Sequence, residues 1–568
     1  MKFRWMLAPP QPLLAEQLAT SLKVSPLLTQ CLLNRGFSET APIERFLAPR
    51  LRNLTDPFLL PDMEAAVARL FAARERDEPL VIFGDYDVDG VSSTALLVEI
   101  FRKLGWRVNY YLPRRMDEGY GLSREGVENC LRKFPTSLLL AVDCGSTAVE
   151  TIAWLKEQGV DTLVLDHHQV SSPAPAAVAL VNPQINQKFT ELCSVGLAFK
   201  LAHALVKRGR ETSLPGAAEF DMKPLLDLVA LGTIADVVPL IGENRIFVSA
   251  GLDKLNSTTR PGLVALKSIA QSPEKLGVSD VGFQLAPRLN AAGRLENAAE
   301  SLHLLLAENE AEAMPLAQNL DAHNRERQKI ERGIAEQVIG VVRSKFDPAR
   351  DFVIVEGEML WHIGVVGIVA SRVLQQFYRP TFIIGGEGNE NWRGSGRSIA
   401  GFDLAAALRE CDDLLVRHGG HAMAAGVTIH PKNLNTFRVR LNEIARRTLK
   451  PEDLQPPLRL DAEVTLKEIS QASIAELNRL KPHGQSNPPV QFLARNLTHA
   501  RPLWRVGADK QHVKLWVADG TATHEAVWWN AGQESLPVGK FDLAFTPSVN
   551  DYSGRTAVQL KVLDWRPA

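Results

Sequence analysis

Short apolar runs alternating with amphipathic stretches fill the first half of the chain, a pattern that predicts a parallel α/β sheet. From residue 79 it reads as strand 80–84, helix 91–104 ended by Gly105, strand 107–112, helix 123–133, strand 137–142, helix 147–158 and strand 161–165. A mainly helical stretch follows from about 192 to 270, in which the apolar run Leu225–Leu231 leads to Asp236. Residues 296–345 are Pro-poor, with opposite charges at helical spacing, and predict a helix connecting two lobes, its charges solvated. The α/β alternation restarts at 352 with strand 352–355, helix 364–377, strand 381–384 and a Gly-rich turn. After Pro451 and the Pro456-Pro457 pair, alternating runs such as His512–Val517 and His524–Trp529 fit a small barrel of five or so strands. The predicted organisation is an amino-terminal arm at 1–55 packed on the domain next in sequence, a parallel-sheet domain at 56–295, the connecting helix at 296–345, a smaller α/β domain at 346–450 and a β-barrel at 451–568.

Three of the predicted strands run into acidic or imidazole groups. Asp85, Asp87 and Asp89 alternate in Gly84-Asp-Tyr-Asp-Val-Asp-Gly90, Asp143-Cys-Gly145 follows the strand 137–142, and Asp166-His167-His168 follows 161–165. Parallel sheets bind ligands beyond the carboxyl ends of their strands, where all three fall. Two like charges ~4 Å apart repel by about 1 kcal/mol in water and roughly 4 at a protein-surface dielectric, so such a pocket calls for a cation. Oxygen donors with one or two imidazoles suit manganese, magnesium or zinc, and a hydrolytic two-metal site is the natural inference. Any one Asp after a strand is equally well explained as turn chemistry; three coincident motifs are much harder to dismiss.

Composition changes this picture little. The chain has 568 residues, 45% hydrophobic and 23% charged, with 64 Lys and Arg against 65 Asp and Glu, so nucleic acid would have to be met by a local groove. Five scattered cysteines without a Cys-x-x-Cys pair point to free thiols and a reducing compartment, with cytoplasm as the expectation. Pro9, Pro10 and Pro12 interrupt the amino terminus, so neither a signal peptide nor a membrane span is expected. Cys144 reads as a small filler beside Asp143.

The three strand-end motifs, with Gly232-Thr-Ile-Ala-Asp236, Arg288-Leu-Asn-Ala-Ala-Gly-Arg294, Trp361–Arg372, Gly394-Ser-Gly-Arg-Ser398 and Gly419-Gly-His421 in the same order, resemble the DHH phosphoesterase superfamily, and within it the single-strand-specific 5′-to-3′ DNA exonucleases. The resemblance covers most of the chain. It implies a DHH catalytic domain, a DHHA1 domain and a terminal OB-fold, and two divalent ions, Mn2+ or Mg2+, held by Asp85, Asp87, Asp143, His167 and Asp236, with His168 and Asp89 among or beside the ligands. Hydrolysis to 5′-mononucleotides in DNA recombination and repair is implied too, as are single-stranded-DNA-binding protein and a RecQ-type helicase as partners of a monomer. Of the adjacent histidines only one can easily face a given ion, so His167 is taken as ligand and His168 as its support or a phosphate contact. Asp166 is expected to anchor a helix or a histidine tautomer. Asp89 is either the cap of the adjoining helix or part of a turn whose amides meet a phosphate.

For the substrate, Pro113-Arg-Arg115 with Glu118-Gly-Tyr-Gly121 resembles a family element that makes Arg115 the contact to the 5′ end. Arg288 and Arg294, read as flanking a loop with Asn290 and Gly293, are candidates to fork onto phosphate, although each alone is more often a structural ion pair. The second lobe adds Ser371 and Arg372 on the predicted helix 364–377, and Ser395, Arg397, Ser398 and His421 around Gly-rich turns, in a segment, 364–450, with twelve Lys or Arg against seven Asp or Glu. Trp504, Trp516, Trp528 and Trp529 are candidate stacking platforms in a passage too narrow for duplex, with at least half of them expected in the core. Leu480–Pro488 departs from the family pattern at His483 and Ser486. Two other readings are a small-substrate phosphodiesterase, disfavoured by the barrel and the Arg115 element, and a scaffold without metals, disfavoured by the intact acids.

Overall fold

The computed structural model describes residues 3–114, 118–119, 121–295, 297–386, 388, 390–552 and 555–568, and divides into two compact units. One comprises Glu44–Arg325 with Leu480–Pro488; the other comprises Met1–Ile43, Glu326–Arg479 and Pro489–Ala568.

The first unit is built on five parallel strands in the spatial order Val108–Tyr111, Leu80–Gly84, Leu138–Val142, Asp161–Leu165, Ala179–Val181. Leu80–Gly84 and Leu138–Val142 are buried at every residue, because helices cover both faces of the sheet. On one face Leu80, Ile82, Leu138, Leu140 and Val142 join the large core formed with the helices Val88–Lys103, Ser194–Glu211 and Leu226–Ala235. On the other, Val81, Phe83, Leu139 and Ala141 pack against the helices Arg124–Lys133 and Val149–Glu157. The alternation predicted for residues 80–165 is the alternation observed, with ends moved by one or two residues and one larger shift: the helix expected at 91 begins at Val88, because Asp87 caps it.

The segment read as one connecting helix from 296 is two. Ala299–Leu306 buries Leu302, Leu304 and Leu305 in the large core of the first unit, and a 36-residue helix, Glu310–Lys345, starts where Asn309 accepts the Glu312 N–H at 3.0 Å.

In the second unit a five-stranded sheet runs Leu415–Gly420, Ala424–Ile429, Trp392–Arg397, Thr381–Gly386, Ile354–Met359, parallel only in its last pair. The carboxyl-terminal strands Phe492–Val506, His512–Ala518, Thr523–Trp528, Arg555–Pro567 and Phe541–Tyr552 close into a five-stranded barrel through the pairing of the first with the last. The amino-terminal arm packs on the domain next in sequence only in its last part, where Leu51 and Leu54 lie against the large core of the first unit. Its strand Arg4–Leu7 pairs in parallel with Pro457–Leu460, because Phe3 and Trp5 are needed to cover Leu458, Leu460 and Leu493.

Candidate metal centre

The loop after Leu80–Gly84 turns tightly because Gly90 lies against the backbone of Asp85: a Cβ on Gly90 would stand 2.6 Å from the Asp85 carbonyl oxygen. Within it Asp87 Oδ1 accepts the N–H groups of Asp89 and Gly90 at 2.9 and 3.0 Å. The amides expected to meet a phosphate are thus taken by Asp87, and the cap of the helix is Asp87 rather than Asp89. Asp89 performs the same task at a distance. Its two oxygens accept the N–H groups of Ser194 and Val195 at 2.7 and 2.8 Å, holding the positive end of the helix Ser194–Glu211. It is not a phosphate contact: the carboxylate is buried, and both oxygens are engaged by the protein.

The strand Leu138–Val142 delivers Asp143 in a left-handed conformation, φ +63°, and its Oδ1 accepts the Ser194 hydroxyl at 2.8 Å. After Asp161–Leu165, Asp166 is consumed by its neighbours: Oδ1 accepts the N–H of His167 at 2.8 Å and lies 2.8 Å from His168 Nδ1, and Oδ2 accepts the Ser146 N–H at 3.0 Å. Asp236 follows the apolar helix Leu226–Ala235. His167 Nε2 stands 3.5 Å from Asp143 Oδ1, 3.6 Å from Asp236 Oδ2 and 3.9 Å from Asp89 Oδ2. Three overlapping trios result, Asp85-Asp87-Asp143, Asp143-His167-His168 and Asp89-His167-Asp236, each with ligand atoms within 4.8 Å of one another.

The electrostatics are those of a cation site. Burial, then the charges of Asp89, Asp87, Asp85 and Asp236, pushes the Asp143 carboxyl well above the usual carboxylate range. Burial with Asp89 and Asp87 does the same to Asp236. Asp89 is raised to about 7 by burial and Asp87, the helix amides pulling the other way. Burial lowers His167 to about 4, keeping it neutral and able to ligate. His168 rises to about 9 despite burial, because Asp166 accepts its hydrogen bond and favours its charge. Asp166 itself is held below the usual carboxylate range, since His168 and His167 outweigh the effect of burial. His167 Nε2 and Asp236 Oδ2 are buried without a hydrogen-bond partner among the described residues, facing a cluster of oxygen donors. A divalent ion answers both the unmet lone pairs and the crowded negative charge, so the donor set fits the expected metals.

The structure thus brings Asp85, Asp87, Asp89, Asp143, His167, His168 and Asp236 together. Ser194, which no motif in the sequence singles out, belongs with them; nothing in its local sequence marks a serine that opens a helix under two aspartates. The proposed phosphate contacts fare differently. Arg115 lies outside the described residues. Arg288, Asn290 and Arg294 stand on a helix, Ala286–Leu295, and not around a loop; Gly293 serves close packing, since a Cβ there would meet the Tyr86 carbonyl oxygen at 2.7 Å. The Arg288 guanidinium is engaged by Asp321 at 2.9 Å and by the Gln284 carbonyl at 2.6 Å, the structural ion pair rather than an open fork.

In the second unit, Gly394-Ser-Gly-Arg-Ser398 is the sheet strand Trp392–Arg397 and not an anion-binding turn. Gly394 and Gly396 make room for Ile384 and Phe382, where a Cβ would stand 2.5 and 2.4 Å from their side chains. Ser395 and Arg397 point to the opposite face, joined by a 3.0 Å hydrogen bond beside Gly367 of the helix Val366–Phe377. Ser398 is buried and donates to the Phe402 carbonyl at 2.7 Å, so its hydroxyl is not offered to a ligand. Ser371 donates to the Gly367 carbonyl at 3.2 Å, and Arg372 pairs with the buried Glu331 at 2.5 Å. His421 is exposed between the hairpin strands Leu415–Gly420 and Ala424–Ile429. On the barrel only Trp528 of the four tryptophans is buried; Trp504 and Trp529 are about half exposed, and Trp504 meets Trp516 edge-on at 5.1 Å with Arg501 and Lys514 over the Trp516 ring.

Family models match this chain over residues 79–233 (DHH family, N-terminal domain), 351–447 (DHHA1 domain) and 460–564 (RecJ OB domain). Curated relatives named single-stranded-DNA-specific exonuclease RecJ include that of Bacillus subtilis, 37% identical over 99% of this chain and 71% of the relative, and that of Escherichia coli, 34% identical over 95% of each. Among solved structures, RecJ of Thermus thermophilus in complex with Mn2+ superposes with a TM-score of 0.85 at 29% identity, covering 100% of this chain and 80% of that one. Its Mg2+ complex gives 0.79 at 28% identity, covering 100% and 79%.

Proposed function

The chain belongs to the RecJ family of single-stranded-DNA-specific exonucleases, and we propose that it is a metal-dependent 5′-to-3′ exodeoxyribonuclease releasing 5′-mononucleotides in DNA recombination and repair. The observation that carries this reading is the convergence of Asp85, Asp87, Asp143, His167 and Asp236 at the carboxyl ends of the sheet, in overlapping trios that can hold two divalent ions. When bound, such a pair polarises the phosphodiester, ionises a water near neutral pH and neutralises the leaving oxygen.

The chain's own residues do the rest. Asp89 fixes the helix Ser194–Glu211, so that the Ser194 hydroxyl orients Asp143. Asp166 keeps His168 charged at neutral pH, which lets it donate a charge-assisted hydrogen bond to a phosphate oxygen. Arg115, Arg397 and His421 are proposed to meet the strand's phosphates, and the Trp504–Trp516 pair with Arg501 and Lys514 to stack its bases at about 1–3 kcal/mol each. Residues 56–295 are assigned the chemistry, 346–450 phosphate contact and 451–568 strand binding. Single-stranded-DNA-binding protein and a RecQ-type helicase are proposed partners, the protein acting as a monomer in the cytoplasm; among the described residues no helix is long and apolar enough to cross a membrane.

The test uses single strands labelled at either end, incubated with Mn2+, Mg2+ or chelator. Metal-dependent loss of the 5′ label first is expected; degradation from the 3′ end, or equal rates with chelator, would refute the proposal.

A further inference from the structure

Glu118 is a buried carboxylate that the chemistry above leaves unused. Its Oε1 accepts the Tyr111 hydroxyl at 2.5 Å and Asn129 Nδ2 at 2.6 Å, and its Oε2 accepts the Arg114 N–H at 2.7 Å. Its backbone is held as closely. The Glu118 N–H donates to the Arg114 carbonyl at 2.8 Å, and the Glu118 carbonyl accepts the Ser123 hydroxyl at 2.7 Å. Ser123 in turn caps the helix Arg124–Lys133.

One side chain therefore joins the end of the edge strand Val108–Tyr111, the face of the helix Arg124–Lys133 and the backbone at Arg114. A cavity of about 510 Å³ opens beside it, lined among others by Tyr110, Arg114, Asn129, Lys133 and His303. Tyr111, Asn129 and the Arg114 N–H take up the oxygens of Glu118 and fix its carboxylate in a wall that also carries Arg114, Lys133 and Glu125.

We propose that Glu118 is a positioning residue for strand engagement: it sets the backbone at Arg114, immediately before Arg115, the residue proposed above to meet the strand's phosphates. This rests on the exonuclease reading above and assigns Glu118 no contact with substrate or ion.

The test compares the wild type with Glu118→Gln and Tyr111→Phe on a 5′-phosphorylated single strand with Mn2+, recording kcat, KM, Mn2+ affinity by calorimetry and thermal midpoint. A carboxamide turned to accept from Tyr111 and Asn129 sets its NH2 against the Arg114 N–H, so Glu118→Gln should raise KM by about tenfold or more, with kcat within about twofold. Mn2+ affinity should match wild type. Tyr111→Phe removes one donor and should shift KM the same way by less, which keeps the proposal testable if Glu118→Gln folds poorly. Wild-type KM in both variants, or loss of kcat or Mn2+ affinity at constant KM, overturns the positioning role alone; a wild type inert toward single strands sinks the exonuclease reading and this role with it.

Discussion

Ser194→Ala tests how the metal centre is held. The serine bridges two acids: its N–H donates to Asp89 at 2.7 Å and its hydroxyl to Asp143 at 2.8 Å. Alanine keeps the first bond and deletes the second. A hydrogen bond to a charged group contributes ~1.5–3 kcal/mol, and loss of a group that orients a metal ligand typically costs ~10–100-fold in metal affinity, which is about 1.4–2.8 kcal/mol; the two routes agree. The metal-free protein should respond less. Burial and its acidic neighbours already push Asp143 well above the usual carboxylate range, so without an ion its charged form is disfavoured and gains less from a donor to its charge. The expected outcome is Mn2+ affinity, measured calorimetrically, weakened ~10–100-fold, with activity restored at high Mn2+ and a metal-free thermal midpoint lowered by only a few degrees. Unchanged Mn2+ affinity would refute the orienting role, and an equal loss of stability with and without Mn2+ would make the serine merely a helix-start residue.

Other outcomes follow from the same geometry. Asp87→Ala and His167→Ala should each abolish cleavage while single-strand binding, measured by anisotropy, persists; Asp87→Ala should also lose about 1 kcal/mol of stability because it removes a helix cap, whereas turnover in both variants would refute the ligand assignment. Away from the site, Glu99 is held below the usual carboxylate range: burial pushes it up, but Arg260 at 3.0 Å and Lys103 at 2.9 Å pull it further down. Its stabilising contribution is therefore present above the unfolded value of about 4.3 and is lost as pH falls through the lower folded value. Glu99→Gln should flatten the acid limb of a plot of thermal midpoint against pH, and an unaltered limb would remove Glu99 from the account.

The sheet was legible because its strands are covered on both faces, so each appears as an unbroken apolar run, and the acids just beyond them stand where such sheets place ligands. Trp528 and Trp529 were legible for the same periodic reason, one turned in and one out. What local spacing cannot carry is the partner of a side chain far along the chain. Asp89 sits 105 residues before the amide it caps, so its sequence suggested a cap for its own helix. The glycines at 394 and 396 suggested a turn because their purpose lies on a neighbouring strand, in the bulk of Ile384 and Phe382. Arg288 offered an open fork until Asp321, on the helix Glu310–Lys345, is seen to fill it.

Hydrogen-bond saturation sorts the acidic cluster into frame and ligands. Asp89 has an oxygen on each of two helix amides, and Asp166 divides its oxygens between the Ser146 N–H and the two histidines. Each is spent on fixing its neighbours, and a cation would have to compete with bonds already made. Asp236 Oδ2 and His167 Nε2 are buried with their hydrogen-bonding capacity unmet among the described residues, and Asp87 and Asp143 are braced through one oxygen by the protein, which orients the other. An unbraced carboxylate would swing away from its like-charged neighbours in the absence of metal; one held by a helix amide or a serine hydroxyl cannot. The repulsion that raises Asp143 and Asp236 is therefore built into the folded chain and relieved by the ion, so the frame residues govern metal affinity by fixing the ligands, while Asp89 also stands within reach of the trio it forms with His167 and Asp236.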